Sequence, residues 1–472
     1  MFAYLCLACK AYMKNWVCDV RLSPHGFTVI LGDTLHPVYY PSSVWKAFPQ
    51  ALRLPFAQFI AFMTTVHWVF GKGNKITYKF PAPLGEPLFY YGLFLSMPEN
   101  LNDFQNSLKT SDYLKFVFNS FFKTSFTGHA SVITQTPYKS HKKALVPFTF
   151  GKDSLLTFAL CKELGIIPIP FFFIEKHKTY ENDHRYRLIK KFKKEYKTDV
   201  VLFEVPLQEL KQRSGLWWGW DIFLSQYTFF LVPFLHYFQA SFLFWSNEYD
   251  RSITQPDKEG FMVAPTFDQT SRWLQVLDRG IKLFGCNAHV GSLLEPLTEL
   301  SVHFVLHHRY SKLGNYQTSC NHEEVQAKTN RWCGHCYTCA EDYIFLKALG
   351  IDPSRVDYSD DMLKNSKRRW HYLFNKDKRA SGQGNIDFFR NEHIFGLYLS
   401  YQRGIRGGLM DDFQKSYLAF ARKNITLLEK TYLTRYPFLT APSAFHKRLE
   451  NIFDKELSEL RRTVKKISST HL

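Results

Sequence analysis

The chain has 472 residues, of which 45% are hydrophobic, 17% aromatic and 22% charged. That is room for about two or three domains with cores of their own, and it excludes a disordered chain. The mean hydropathy of −0.25 excludes a polytopic membrane protein. The formal net charge of +18 points to anionic partners such as nucleotides, nucleic acid or an acidic membrane surface. A solvated coat of lysines gives the same number.

Residues 1–141 read as an α+β domain. Residues 1–20 are apolar early but carry Lys10 and Lys14. With no basic stretch ahead of the apolar run and no small-residue cleavage site, they do not read as a signal peptide. Strand-like runs at 26–31 and 75–80 alternate with aromatic stretches, and Gly71-Lys72-Gly73 is a turn signal.

Residues 142–350 change character. A strand over 144–150 ends at Gly151, and a helix over 152–164 is closed by Gly165 in the C′ position. Further strands are expected at 166–174, 199–205 and 241–246, with a basic helix at 182–197. Strands alternating with helices predict an α/β fold, a Rossmann-like parallel sheet with ligands beyond the C-terminal ends of its strands. Residues 222–245 contain no Asp, Glu, Lys or Arg and are long enough to span a bilayer. Ser225, Gln226, His236 and Gln239 interrupt them and Pro233 breaks them, so they read as a buried helix entering a strand and no membrane span is expected. Residues 351–472 are polar and basic, with Lys367-Arg368-Arg369 and a Ser381-Gly382-Gln383-Gly384 loop. Residues 446–466 alternate charge at helical spacing, which predicts a helical C-terminal region covering the sheet.

Two motifs carry chemistry. Thr149-Phe150-Gly151-Lys152-Asp153-Ser154 falls where a strand ends and a helix begins. Backbone N–H groups and the helix dipole favour an anion there. Gly151 lets a phosphate approach closely, Lys152 adds charge, Ser154 offers a hydroxyl, and Asp153 orients the loop or helps hold Mg²⁺. An ordinary helix start with Asp153 as a first-turn acid gives the same hexapeptide.

The second motif is Cys333, Cys336 and Cys339 at C-x-x-C-x-x-C spacing, with Cys320 upstream. Four thiolates surround one tetrahedral ion, zinc ahead of an iron–sulfur cluster, and leave no open position for water, so the role is structural. His322 and His335 are rival ligands to Cys320, and reduced buried cysteines are the metal-free alternative. Cys6, Cys9, Cys18, Cys161 and Cys286 show no grouping. Nine cysteines in so long a chain suit a reducing compartment, and the expected location is cytoplasmic.

Among other polar residues, Glu248 and Asp250 follow a strand end and suit metal, substrate or base work as well as loop capping. Thr298 and Glu299 bracket a helix start with Glu295, as caps or ligands. His303 and His307 share a helix face and read as packed histidines. Arg331 reaches a phosphate or lies exposed.

The hexapeptide resembles the Ser-Gly-Gly-x-Asp-Ser signature of the PP-loop ATP pyrophosphatases, with Thr149 at the Ser position and Phe150 at the first Gly. It is not a Walker A loop. The resemblance implies a PP-loop fold in which Thr149, Gly151, Lys152, Asp153 and Ser154 cradle ATP. Lys152, Asp153 and Glu248 are then the candidate catalytic residues, with ATP, Mg²⁺ and Zn²⁺ as cofactors. A PP-loop followed by four cysteines is similar to 7-cyano-7-deazaguanine synthase.

The order Ser246-Asn247-Glu248, then Ser292 through Glu299, Ser319-Cys320-Asn321 and Arg331-Trp332-Cys333-Gly334 resembles UDP-N-acetylmuramoyl-L-alanyl-L-glutamate epimerase. That likeness covers about residues 144–350. It implies adenylation of a substrate carboxylate with release of pyrophosphate, the substrate being a small carboxylate or a nucleotide-linked one. Where that family has a polar Asn-Gly-His segment, this chain reads Gly215-Leu216-Trp217-Trp218-Gly219-Trp220-Asp221. The resemblance therefore implies adenylation more strongly than epimerisation. The alternative is a PP-loop enzyme of the tRNA thiolase or deazapurine synthase type, with nucleic acid the less favoured partner.

Overall fold

The computed structural model describes residues 15–70, 74–104, 109–129, 137–176, 178–205, 210, 222–264, 266–320, 328–334, 336–364 and 387–469. The turn expected at 71–73, the tryptophan-rich stretch 215–221, the basic and glycine loops at 367–369 and 381–384, and Asn321, His322 and His335 lie outside these residues.

The N-terminal region carries a five-stranded mixed sheet. Strands β1 (Asn15–Ser23), β2 (Gly26–Leu31) and β3 (Thr34–Tyr39) form an antiparallel meander, and β4 (Lys75–Tyr78) and β5 (Thr124–Phe126) continue parallel beyond β1. Gly26, at φ +144°, makes the first hairpin feasible, because a Cβ there would lie 2.0 Å from the carbonyl oxygen of Val38. Helix α1 (Gln50–Thr65) buries ten side chains, among them Phe56, Phe59, Ile60, Phe62 and Met63.

The second sheet is wholly parallel. Its strands are β6 (His141–Pro147), β7 (Ile167–Ile174), β8 (Val201–Glu204), β9 (Ala240–Phe244) and β10 (His289–Gly291), in the spatial order β10-β9-β6-β7-β8. The chain starts in the middle, winds to one edge, then returns to build the other. The loops after β6 and β9 therefore leave neighbouring strands in opposite directions, which opens a crevice at the switch point of a doubly wound, Rossmann-like sheet. The first four strands overlap the ranges expected from the sequence, with β6 at His141–Pro147 against the expected 144–150. The fifth, β10, has three residues, too few for a pattern of its own.

Both faces of this sheet are apolar, as a parallel sheet covered on both sides requires. Ala144, Val146, Phe172 and Phe244 face a cluster shared with the C-terminal helices. Leu145, Phe171, Phe203, Leu243 and Val290 face a cluster shared with the N-terminal sheet and α1. Helix α2 (Lys152–Glu163) follows β6 and α3 (Thr179–Tyr196) follows β7.

The uncharged stretch ahead of β9 is two short helices, α4 (Phe223–Phe230) and α5 (Val232–Phe238), with Pro233 at the start of the second. They pack on the N-terminal region, where Gln226 Nε2 donates to Met63 O at 2.9 Å and Tyr40 Oη donates to Phe230 O at 3.1 Å. Among the described residues no helix is long and apolar enough to cross a membrane.

The first face is closed by α6 (Glu299–Arg309), α7 (Tyr337–Leu349), α8 (Asp387–Gln402) and α9 (His446–Ser469). The described part of the C-terminal region is helical, as its charge alternation predicts.

Candidate active site at the switch point

Between β6 and α2 the chain turns through Phe150, which adopts φ +61°. A bulky residue seldom occupies this left-handed region. It is held there from two sides: Phe150 O accepts a hydrogen bond from Thr318 N at 2.8 Å, and its buried ring packs on Phe148, Phe192 and Tyr316 at centroid distances of 4.7, 5.7 and 6.2 Å. The turn delivers Gly151 as the N-cap of α2 with no side-chain cap, and Ser154 Oγ donates back to Gly151 O at 3.0 Å. The first-turn N–H groups thus face the crevice at the positive end of the helix dipole. A Cβ on Gly151 would lie 3.5 Å from Thr149 Oγ1 and 3.7 Å from Ser319 Oγ, so glycine keeps open a cradle edged by two hydroxyls.

Lys152 points inward. Its ammonium lies 3.0 Å from Asp153 Oδ2, 2.8 Å from Glu248 Oε1 and 2.7 Å from Glu299 Oε1, and the residue is 4% exposed. Burial opposes its charge, but Asp153, Glu248 and Glu299 together hold its pKa well above the usual lysine value. The hexapeptide thus joins at the base of the loop to Glu248, beyond β9, and to Glu299, at the start of α6.

Arg251 closes the group from the other side, 3.2 Å from Glu299 Oε2 and 3.6 Å from both Glu248 Oε2 and Asp250 Oδ1. Burial and the neighbouring Asp153 carboxylate push the Glu248 pKa well up; burial and Glu248 do the same for Glu299. Asp342 lies 3.0 Å from His303 Nε2, and burial pushes its carboxyl up to about 7. Burial and the nearby Lys152 keep His303 neutral, far below the usual histidine value.

The C-terminal helix α8 also reaches this cluster. Glu392 accepts from Leu300 N at 2.8 Å, and His393 Nε2 lies 3.0 Å from Glu341 Oε1. Sequence reasoning missed Arg251, Glu341, Asp342, Glu392 and His393. The signal for the last two was charged and imidazole groups set inside an apolar helical run, with the buried Phe389, Ile394 and Phe395 around them.

No protein-family model and no curated protein matches this chain. The site therefore rests on its own geometry.

The four cysteines come together. Cys320, Cys333, Cys336 and Cys339 are all buried, with their sulfurs within 4.8 Å of one another, an arrangement able to hold a metal ion. Cys333 N donates to Cys320 Sγ and Cys339 N to Cys336 Sγ, each at 3.3 Å. Such N–H···S bonds orient thiolates toward a shared centre. Cys336 is the N-cap of α7, the helix that carries Glu341 and Asp342 into the acidic cluster. On the other side, Thr318 bonds Phe150 and Ser319 edges the Gly151 cradle immediately before Cys320. Arg185 of α3 fixes this strap, donating to Thr318 O at 2.8 Å and Cys320 O at 3.4 Å. The cysteine cluster thereby braces both the Phe150 turn and the acidic helix.

Other residues marked in the sequence lie apart. Glu295 caps a later segment, accepting from Leu439 N at 3.0 Å and from Thr440 N at 2.7 Å. Thr298 Oγ1 donates to Tyr432 O at 3.1 Å. Arg331 is neither exposed nor aimed at the loop; it donates to Asp357 Oδ2 at 2.9 Å and Asn315 O at 3.0 Å. His307 is a packed histidine, 2.6 Å from Gln317 Oε1. Cys161 lies buried in the core side of α2.

Proposed function

We propose that the protein is an ATP-dependent, AMP-forming enzyme that adenylates a substrate carboxylate and releases pyrophosphate. The observation that carries this reading is the uncapped start of α2 behind a left-handed Phe150, opening into the switch-point crevice with Gly151 between two hydroxyls. In the reaction a carboxylate oxygen bonds to the α-phosphorus of ATP, the bond from that phosphorus to the bridging oxygen breaks, and pyrophosphate leaves.

The N–H groups of Lys152, Asp153 and Ser154, with the Thr149 hydroxyl, are the donors for the departing phosphates, where negative charge grows. Asp153 Oδ1 is buried and accepts no hydrogen bond, which suits it to hold the magnesium that accompanies ATP and screens the leaving group. Lys152 and Glu248 fix the charge beneath the loop. The narrower form of the reading is epimerisation of a UDP-muramoyl-dipeptide, in which adenylation acidifies the neighbouring C–H. ATP and reduced thiols are both available in the cytoplasm, which supports that location for the reaction.

The cysteine cluster is assigned to structural zinc. Cys333 Sγ and Cys339 Sγ are 3.8 Å apart, the edge of a tetrahedron whose centre is ~2.3 Å from each sulfur.

Labelled ATP with Mg²⁺ and a panel of small carboxylates, a UDP-muramoyl-dipeptide among them, tests the proposal. The expected products are AMP and pyrophosphate, stimulated by one of the carboxylates. Asp153→Ala and Ser154→Ala are expected to lower turnover much more than stability. ADP as the product rejects the proposal, and stimulation by tRNA alone transfers the site to nucleic-acid modification.

A further inference from the structure

Beside the Gly151 turn lies a group of buried acids, one of which accepts no hydrogen bond. Glu248, Asp250 and Glu299 are 1%, 0% and 2% exposed, and each can present an oxygen within 4.8 Å of the others. With Asp153 they make four carboxylates against two cations, Lys152 and Arg251. Glu392 packs close enough to feel both Asp250 and Glu299.

Asp250 is the telling member. It is fully buried, neither of its oxygens accepts a hydrogen bond, and the Arg251 Nε near its Oδ1 is 3.6 Å away, beyond hydrogen-bond reach. A buried carboxylate with one distant cation and no hydrogen-bond donor is costly, and buried charges are otherwise closely paired or bound to metal.

We propose that Glu248, Asp250 and Glu299 form a divalent-cation site that takes magnesium or manganese in the absence of nucleotide. It is distinct from the cysteine cluster and from the cation carried by the phosphates of ATP. A divalent ion there takes the place of the donor that both Asp250 oxygens lack. The donors are all carboxylate oxygens, which select hard cations over zinc. Their span of up to 4.8 Å suits oxygens on opposite sides of an ion about 2.1–2.4 Å from each. Lys152 engages Oε1 of both Glu248 and Glu299, and Arg251 faces their Oε2 atoms at 3.6 and 3.2 Å, so the two bases hold the carboxylates together beside Asp250. Because Glu248 leaves β9 and Glu299 begins α6, the ion ties the switch-point loop to the next helix before any substrate arrives. The site stands on this geometry and does not depend on the adenylation reading.

The test is a Mn²⁺ titration of the intact, zinc-bearing protein without nucleotide, following unbound Mn²⁺ by electron paramagnetic resonance. About one saturable site per chain is expected, displaced by Mg²⁺ and weakened at least tenfold in Asp250→Asn. Thermal melting supplies a second readout. In metal-free buffer Asp250→Asn should melt no lower than the parent, because it removes a buried carboxylate that accepts no hydrogen bond, and only the parent should gain on adding Mn²⁺. If Asp250→Asn does not fold, Asp250→Ser takes its place, and the parent titration still decides whether the site exists.

Manganese bound only after ATP is added, or bound equally by Asp250→Asn, overturns the site and leaves the adenylation reading standing. Manganese binding as described, without AMP formation on any carboxylate, keeps the site and removes that reading alone.

Discussion

Phe150, a bulky residue, holds φ +61° at a cost of roughly 1–2 kcal/mol. Its buried ring offsets this, since emptying such a site costs about 3–5 kcal/mol. Phe150→Gly is therefore expected to relax the backbone yet lose about 2 kcal/mol net, measured by urea unfolding; a gain in stability would show the ring contributes little. His307 gives a pH signature at the same scale. Burial lowers its pKa to about 4 although the Gln317 hydrogen bond opposes the shift. With the folded pKa below the ~6.5 of an exposed histidine, the native state resists protonation. Its contribution is complete above about pH 6.5 and is lost as the pH falls toward 4. His307→Gln should flatten the fall in melting temperature between pH 7 and pH 5. The hexapeptide was legible because its chemistry is contiguous in sequence. Arg251, Asp342 and His393 were not, since their meeting depends on how α6, α7 and α8 pack.

At the scale of elements, reading was best where a residue type forces the backbone. Gly165, at φ +69°, ends α2 as expected, and the alternation of Leu145 with Ala144 and Val146 marks a strand buried on both faces. Strand β10 escaped notice because three residues carry no period. It is recognised instead by what its Gly291 permits: a Cβ there would lie 2.4 Å from Thr440 O, so glycine lets the 439–441 segment dock against the strand. The cysteine strap is the element with the sharpest test. Structural zinc contributes on the order of 10 kcal/mol to small modules, and a metal ion held by these cysteines would join the Phe150 turn to α7. Purified protein should carry about one zinc per chain, and Cys336→Ser should lose it together with thermal stability, checked by atomic emission and melting. A metal-free preparation with unchanged melting, or visible absorbance from iron–sulfur, would contradict the assignment.

Across the whole molecule, the parallel sheet is a shared wall, with the N-terminal sheet and α1 on one side and the C-terminal helices on the other. Residues 222–245 belong to that wall. Trp245 Nε1 donates to Thr228 Oγ1 at 2.9 Å, tying the end of β9 to α4. Pulling this stretch into a bilayer would strip β9 from the sheet and part the phosphate loop from the cysteines. In fractionated host cells the protein is accordingly expected to leave membranes on a carbonate wash; retention in the pellet would mean the stretch spans and the single sheet is wrong. The aromatic, Pro-interrupted pattern made this burial legible in the sequence. The helices covering the opposite face were foreseen only as a class, because charge alternation gives periodicity but no docking partner.

The shared wall also has a history during synthesis. By the time β10 has left the ribosome, the N-terminal sheet and α1 are in hand to cover one face of the parallel sheet. On the other face α2, α6 and α7 come first, and the cluster they share is closed only by α8 and α9, which bring Phe395, Leu397, Leu449, Phe453, Leu457 and Leu460 to it. Until then the nascent chain displays the apolar outer sides of α6 and α7, whose side chains belong to the finished core. An incomplete chain of this kind is a ready client for chaperones and prone to aggregate. Ribosomes stalled before α8 should therefore hold a protease-sensitive, chaperone-bound intermediate, and release of the full chain should end that association.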